Sequence, residues 1–415
     1  MNCPGSPREI DKIPDELREK PSVYALEGTA AHALMERCLR KGHATPKKYL
    51  GWGMYVVPET GKTRLVKPAD MDDALAEKSS ERVLFPITQN MIEAVAVVLE
   101  HVGDEVKRLR EEYPRGRVVM YVEQRVYPLA DYKDMYGTAD VIIVSKGHEV
   151  VVIDYKHGAG LAVDAIGNTQ IKYYGLGALR EIDFKAEKVK VTIVQPRAVH
   201  EEGVIRSEEM TMGELKAWGK VLAAAVDKTK LRKAPLNAGS WCKDTWCAAR
   251  GVCPELRKSI ERQAQMDFDD DPEELDKPTD PKKIAHLLSW IPMFEAWKSG
   301  LEAIAYRIAE NGGTVPEYKL IYGRANRKFR DDISEKRLLS RLEKFAKLDR
   351  EEFFTEPELK TPTQIEKMLP PKKRELFNDK FVIKPQGKLT LVHESNKAPA
   401  VSVNPADDFE EVDDE

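Results

Sequence analysis

No run of apolar residues in this chain approaches the ~18 that span a bilayer, so a membrane-spanning helix is not expected. The opening residues, MNCPGSPREI, lack the apolar centre of a secretory signal, and a cytoplasmic location is the expectation. Cysteine is scarce, with five among 415 residues. In an intracellular chain so few argue against a disulfide framework and for a metal site or buried thiols. Net charge is small as well, -4, but the average hides asymmetry: Lys and Arg crowd several segments while acids crowd the last residues. A nucleic-acid partner is therefore not excluded. What is present suffices for a core: 42% of residues are apolar and 33% charged, over a length fit for two or three domains.

The stretch from Gly137 to Gly158, GTADVIIVSKGHEVVVIDYKHG, organises the rest. Its two β-branched runs read as strands, joined by a turn centred on Gly147. Counting equally outward from that glycine reaches Asp140 and Asp154, which an antiparallel hairpin sets opposite or nearly opposite each other. Lys156 shares a face with Asp154 if the strand runs that far. Opposed like charges destabilise a sheet unless something positive lies between them, and a divalent metal is the obvious candidate. Two carboxylates are hard oxygen ligands of the kind that hold Mg2+ or Mn2+.

Upstream, residues 24–41 read as a helix, with Thr29 a candidate cap and Gly42 its end. It carries His32, on this segment alone a helix-surface histidine, and Cys38, a buried thiol. Residues 43–85 read as a loop or small insertion, 88–112 as a long amphipathic helix and 117–127 as a strand. Downstream, 165–182 reads as a helix despite its glycines, with Gln170 and Tyr174 four apart on one face. A strand over 187–195 and a helix over 212–230 follow. Helix, strand, hairpin, helix, strand, helix is an α/β layer structure with a mixed sheet.

Cys242, Cys247 and Cys253 then fall within twelve residues, as C-x4-C-x5-C. A trio lacks the fourth thiolate that a tetrahedral zinc site or an iron-sulfur cubane requires. Cys3 supplies it if the N-terminus returns to this place. Residues 267–281 read as an acidic linker, and 282–311 as a helix with a wide apolar face. In PEYKLIYGRANRKFRD, basic residues alternate with aromatics. Tyr322, Arg324, Arg327, Lys328 and Arg330 there suit phosphate contact with base stacking, or equally a solvated strand-turn. The chain divides by composition into 1–260, a linker over 261–281, a mostly helical α+β region over 282–400, and a disordered acidic tail over 401–415.

His32 in EGTAAH, Asp140 in YGTAD, Asp154 with Lys156 in IDYKHG, and Gln170 with Tyr174 in QIKYY occur in an order that resembles the RecB-like branch of the PD-(D/E)xK nuclease superfamily. The likeness is to its iron-sulfur exonucleases and to a phage recombination family. One cysteine near the N-terminus and three after the core match too, although the family's first pair is more often C-x2-C. The resemblance implies a restriction-endonuclease-like core over residues 1–256 and a metal held by His32, Asp140, Asp154 and the Tyr155 carbonyl. It implies a catalytic Lys156 assisted by Gln170 and Tyr174, and a 4Fe-4S cluster on Cys3, Cys242, Cys247 and Cys253, with structural Zn2+ as the alternative. The implied activity is an Mg2+- or Mn2+-dependent deoxyribonuclease, an exonuclease, acting on DNA that is single-stranded or has free ends. The setting would be phage-type recombination or replication in a bacterial host or phage-infected cell, with a recombination or annealing protein as partner and no membrane. A non-catalytic nucleic-acid-binding accessory protein with a structural metal cluster is the alternative reading.

Overall fold

The computed structural model of the chain describes residues 2–42, 45–76, 81–182, 185–268 and 281–320, together with isolated positions at 340 and 344. The chain forms two units, Met1–Leu338 and Leu339–Glu415, and the description below is of the first.

In chain order the elements are α1 (Ser6–Asp11), α2 (Val23–Arg40), β1 (Gly53–Val56), β2 (Thr63–Val66), α3 (Met71–Ala76), β3 (Val83–Pro86), α4 (Gln89–Glu112), β4 (Val118–Val126), β5 (Gly137–Ser145) and β6 (Glu149–Tyr155). They continue with α5 (Thr169–Glu181), β7 (Lys188–Val194), β8 (Ile205–Thr211), α6 (Met212–Thr229), α7 (Trp241–Asp244), α8 (Pro254–Phe268) and α9 (Pro281–Glu310). No described helix is long and apolar enough to cross a membrane.

The protein is α/β, built on a five-stranded mixed sheet in the order β4-β5-β6-β7-β8. β6 and β7 are parallel, with α5 as the crossover between them; the other neighbours are antiparallel. Period-two alternation divides the central strands between two cores. Val141, Ile143, Val151 and Ile153 pack with α2 and α4 on one face. Ile142, Val144, Val150 and Val152 pack with α5 and α6 on the other. A strand covered on both faces needs an unbroken apolar run, which is why every residue of β6 is buried.

Three features depart from the sequence reading. Residues 43–85, read as a loop or small insertion, contain a three-stranded antiparallel sheet, β2-β1-β3, closed by β3. Its strands are four residues long, too short for a clear period. β8 was not anticipated; as an edge strand with alternating exposure, IRSEEMT is too polar to stand out. The N-cap of α2 is Ser22, whose hydroxyl accepts from the Ala25 N–H at 3.2 Å, while Thr29 lies inside the helix and donates to the Ala25 carbonyl. Gly42 follows the helix end at φ +65°, as a terminating glycine does.

The glycines of α5 have a packing role. A Cβ on Gly177 would lie 2.7 Å from the Val126 Cβ, and one on Gly175 3.3 Å from Val189 and Val191. Their absence lets α5 lie close to the sheet. Helix propensity alone favours Gly177→Ala by about 1 kcal/mol. Overpacking at this contact is expected to reverse the sign and destabilise by roughly 1–3 kcal/mol, as urea unfolding would show.

Candidate metal centre

The site lies where β5 and β6 emerge from their pairing. The β5–β6 pairing ends with Val141 opposite Ile153, and Asp140 and Asp154 are the next residues outward on their two strands. Both carboxylates are buried. The Asp140 Oδ2 accepts from the Tyr155 backbone N–H at 2.6 Å, and its Oδ1 lies 3.3 Å from His32 Nδ1. His32 reaches it from α2, its ring tilted over that of Tyr155 at 5.0 Å. Burial opposes protonation of His32, but the Asp140 charge outweighs it and raises the imidazole's pKa.

Asp154 projects with the parity of Val150 and Val152, toward α5. The Lys156 Nζ is 2.9 Å from its Oδ2 and donates to Gln170 Oε1 at 3.0 Å, and Gln170 Nε2 in turn donates to Tyr174 Oη at 3.1 Å. The Asn168 side chain caps α5, accepting from the Gln170 and Ile171 N–H groups. The ammonium is the polar group beside this buried Asp154 oxygen. Burial, then the Asp140 charge, push Asp154 up to about 6, against the pull of Lys156. Burial also opposes the charged form of Lys156, but Asp154 outweighs it and raises the lysine's pKa.

Beneath the site, Tyr155 Oη lies 2.6 Å from His157 Nδ1. His157 Nε2 is 2.6 Å from Arg197 Nη1, which also bonds Glu27 Oε1 at 3.0 Å. His157 Nε2 also lies 3.3 Å from Glu27 Oε1, so the imidazole sits between a guanidinium and a carboxylate. Burial and Arg197 both hold His157 toward its neutral form. The loop after Lys156 is fixed by Gln195, which donates to the Gly158 and Leu161 carbonyls at 3.1 and 2.9 Å and accepts from the Val163 N–H at 3.0 Å.

Sequence reasoning missed Glu123. It lies in β4 with φ +52°, a conformation rare for a residue with a side chain. Among the described residues, His32, Glu123 and Asp140 are the group of three whose ligand atoms all lie within 4.8 Å of one another. Opposite ligands of an octahedral hard cation stand about 4.2 Å apart, so this set matches the spacing. Nothing in RVVMYVEQRVY sets Glu123 apart; only its place in space beside His32 and Asp140 does. Burial and Asp140 push its carboxyl up to about 7.

All four predicted cysteines come together. Cys3, Cys242, Cys247 and Cys253 line one cavity of about 140 Å³ with Trp241 and Arg250. The N-terminus is held there by Asn237, whose N–H lies 3.4 Å from Cys3 Sγ, and by the Gly5 N–H on the Pro235 carbonyl at 2.8 Å. Burial pushes the Cys242 and Cys253 thiols up. Cys38 is a buried core thiol of α2, as read from the sequence. Tyr322, Arg324, Arg327, Lys328 and Arg330 lie outside the described residues, as do most of the acidic linker and the whole acidic tail.

The fold and site define an α/β protein with a carboxylate-rich centre at the end of its mixed sheet. A family described as "Protein of unknown function (DUF2800)" matches residues 1–399, and the chain belongs to it. It is also similar to a solved structure titled "Crystal structure of SSO0001", at 17% identity over 39% of this chain and 70% of that one. The TM-score is 0.19, too low a likeness for an inference about fold or function.

The raised Asp154 acidity has a thermodynamic consequence. Its ordinary value is 3.8, so between that and about 6 the folded protein retains a proton that the unfolded chain has lost. The stabilisation is fully present below the lower value and is lost as pH rises through the upper one. In metal-free protein, Asp154→Asn is therefore expected to raise stability at pH 7 by about 1–3 kcal/mol and to add less at pH 4. Urea unfolding of both proteins at the two pH values checks this.

Proposed function

We propose that this chain is a divalent-metal-dependent DNA nuclease of the RecB-like PD-(D/E)xK kind, acting as an exonuclease in phage-type recombination or replication. The observation that carries the reading is the pair of buried, neighbouring carboxylates Asp140 and Asp154, with Lys156 2.9 Å from Asp154, at the open end of a strand pair. Stability alone gives no reason for this arrangement, since burying like charges together is costly. The order of motifs along the chain and the α/β core with its mixed sheet agree with the restriction-endonuclease-like fold of that superfamily. The oxygen and imidazole donors of Asp140, Glu123 and His32, gathered at one place, fit Mg2+ or Mn2+.

When bound, such a cation polarises a phosphoryl oxygen and acidifies water. Asp140, Asp154, His32 and the Tyr155 carbonyl would hold it. The Tyr155 N–H and the Tyr155 ring fix the Asp140 carboxylate and the His32 imidazole. Lys156, kept protonated by Asp154 and aimed by Gln170, stabilises the negative charge that builds on the phosphate and orients the attacking water. Gln170 and Tyr174 face the strand beside that lysine.

The cysteine cavity is proposed to hold a 4Fe-4S cluster. No three of the four sulfurs form a group within 4.8 Å, whereas thiolates on one tetrahedral zinc stand ~3.8 Å apart given a bond of about 2.3 Å. The wider cradle suits a polynuclear centre.

Cleavage of end-labelled single-stranded, duplex and tailed DNA with Mn2+, Mg2+ or EDTA tests the main reading. Lys156→Met is expected to lower the rate by on the order of 100-fold or more with the fold retained. Chelator-insensitive binding without cleavage would replace the nuclease with a non-catalytic accessory protein. Anaerobically purified protein is expected to be brown, and Cys242→Ala colourless and less stable. A colourless wild type carrying one zinc per chain would establish the structural-zinc alternative instead.

A further inference from the structure

A second group of side chains gathers at the start of β5, outside the carboxylate centre. The β4–β5 pairing ends with Val126 opposite Gly137, and Tyr127 and Tyr136 are the next residues outward on the two strands. Their ring centroids stand 6.1 Å apart. The Arg125 guanidinium lies over the Tyr136 ring, 4.3 Å from its centroid. Tyr136 is 52% exposed, and Arg125 is exposed as well. Among the described residues no carboxylate forms an ion pair with Arg125.

This surface is supported from behind. Arg180 Nη1 donates to the Tyr127 carbonyl at 2.7 Å. The loop between the two tyrosines is tied to the end of α6 by the hydrogen bond of Tyr132 with Asp227 and by Lys230 Nζ, 4.0 Å from the centroid of the Tyr132 ring. Leu129 and Met135 pack against the core on the α5 side. An exposed cation–π pair adds little stability, so the fold alone gains little by holding an aromatic ring outward here.

The surface also continues into the candidate metal centre. Tyr136 precedes Gly137, where a Cβ would lie 2.5 Å from Tyr174 Cε1 and 3.2 Å from Tyr173 Cε1. The missing side chain lets both rings of α5 come up against the strand. Tyr174 in turn accepts from Gln170, which holds Lys156. Aromatic rings therefore lead from the exposed Arg125–Tyr136 pair to the lysine.

We propose that Arg125 and Tyr136 form a stacking site for an unpaired base of single-stranded DNA, flanking the phosphate that Lys156 faces. This rests on the nuclease reading above and adds a substrate contact to it. An aromatic face accepts any base whose own face is free. Inside a duplex both faces of a base are covered by its neighbours, so only an unpaired base fits. The guanidinium, charged at every ordinary pH, suits the adjoining phosphate. Lys156 then sets the register on the backbone, and the stacked base beside it selects an open strand.

The test is binding of a single-stranded oligonucleotide carrying 2-aminopurine, in EDTA so that cleavage does not compete, read by fluorescence quenching and repeated on a blunt duplex. Wild type is expected to quench the probe in the single strand and to bind the duplex more weakly. Tyr136→Ala is expected to weaken single-strand binding on the order of 10-fold, with Tyr136→Phe close to wild type. Arg125→Gln is expected to weaken it too and to reduce its salt dependence by about one phosphate contact. Circular dichroism reports folding, and the two separate positions keep the test alive if one variant misfolds. Unchanged single-strand affinity in folded Tyr136→Ala or Arg125→Gln overturns the proposal, as does an equal loss on the blunt duplex. Mn2+-dependent cleavage of the same oligonucleotides separates this site from the nuclease reading. Quenching that depends on Tyr136 without any cleavage would retain the stacking site and remove the nuclease. Cleavage with kcat and KM unchanged in Tyr136→Ala would retain the nuclease and remove the stacking site.

Discussion

The burial of Asp140 and Asp154 close together is the constraint around which the site is arranged. A fold gains nothing from two neighbouring buried carboxylates, and each structural neighbour offsets part of that cost. The Tyr155 N–H satisfies one Asp140 oxygen, and His32 approaches the other. Lys156 balances Asp154 and is held by Gln170. These contributions come from α2 on one side and α5 on the other, because the alternation of β5 breaks at Asp140: Ala139 and Ile142 pack on the α5 side and Val141 on the α2 side. The compensation is incomplete: burial and the Asp140 charge still push the Asp154 carboxyl up.

The scaffold keeps this arrangement rigid by packing rather than by charge alone. α5 can bring Gln170 and Tyr174 to the strand end because Gly175 and Gly177 admit it close to the sheet. The Arg197–His157–Tyr155 chain orients the tyrosine on which His32 rests, and Gln195 anchors the loop that leaves Lys156. The parallel pairing of β6 with β7 demands a crossover, and that crossover is the helix carrying two of the site's polar groups.

The cysteine cavity ties distant parts of the chain together. Cys3 meets Cys242, Cys247 and Cys253 because Asn237 and Pro235 hold the N-terminal segment. α9 lies against the same region: a Cβ on Gly251 or Gly300 would overlap the other's backbone. A cluster bound there would link the first residues of the chain to the segment that follows the sheet.

The sequence determined what local periodicity and symmetry can carry. The hairpin centre fixed which aspartates face each other, and the spacing of Gln170 and Tyr174 fixed their shared helical face. The apolar runs fixed the central strands, and the cysteine trio pointed to a fourth partner in Cys3. Short strands gave too few residues for a period, so the β1–β3 sheet was not legible, and polar β8 carried no apolar signal. Glu123 was hidden for a different reason. Its place beside Asp140 depends on how β4 pairs with β5, across a connection whose path the residues do not specify. Pairing across a long connection is a tertiary outcome, settled by which faces find α2 and α5. The sequence therefore determined the Asp140–Asp154–Lys156 hairpin and, through its motif order, pointed to His32, while only the tertiary structure decided that Glu123 joins them.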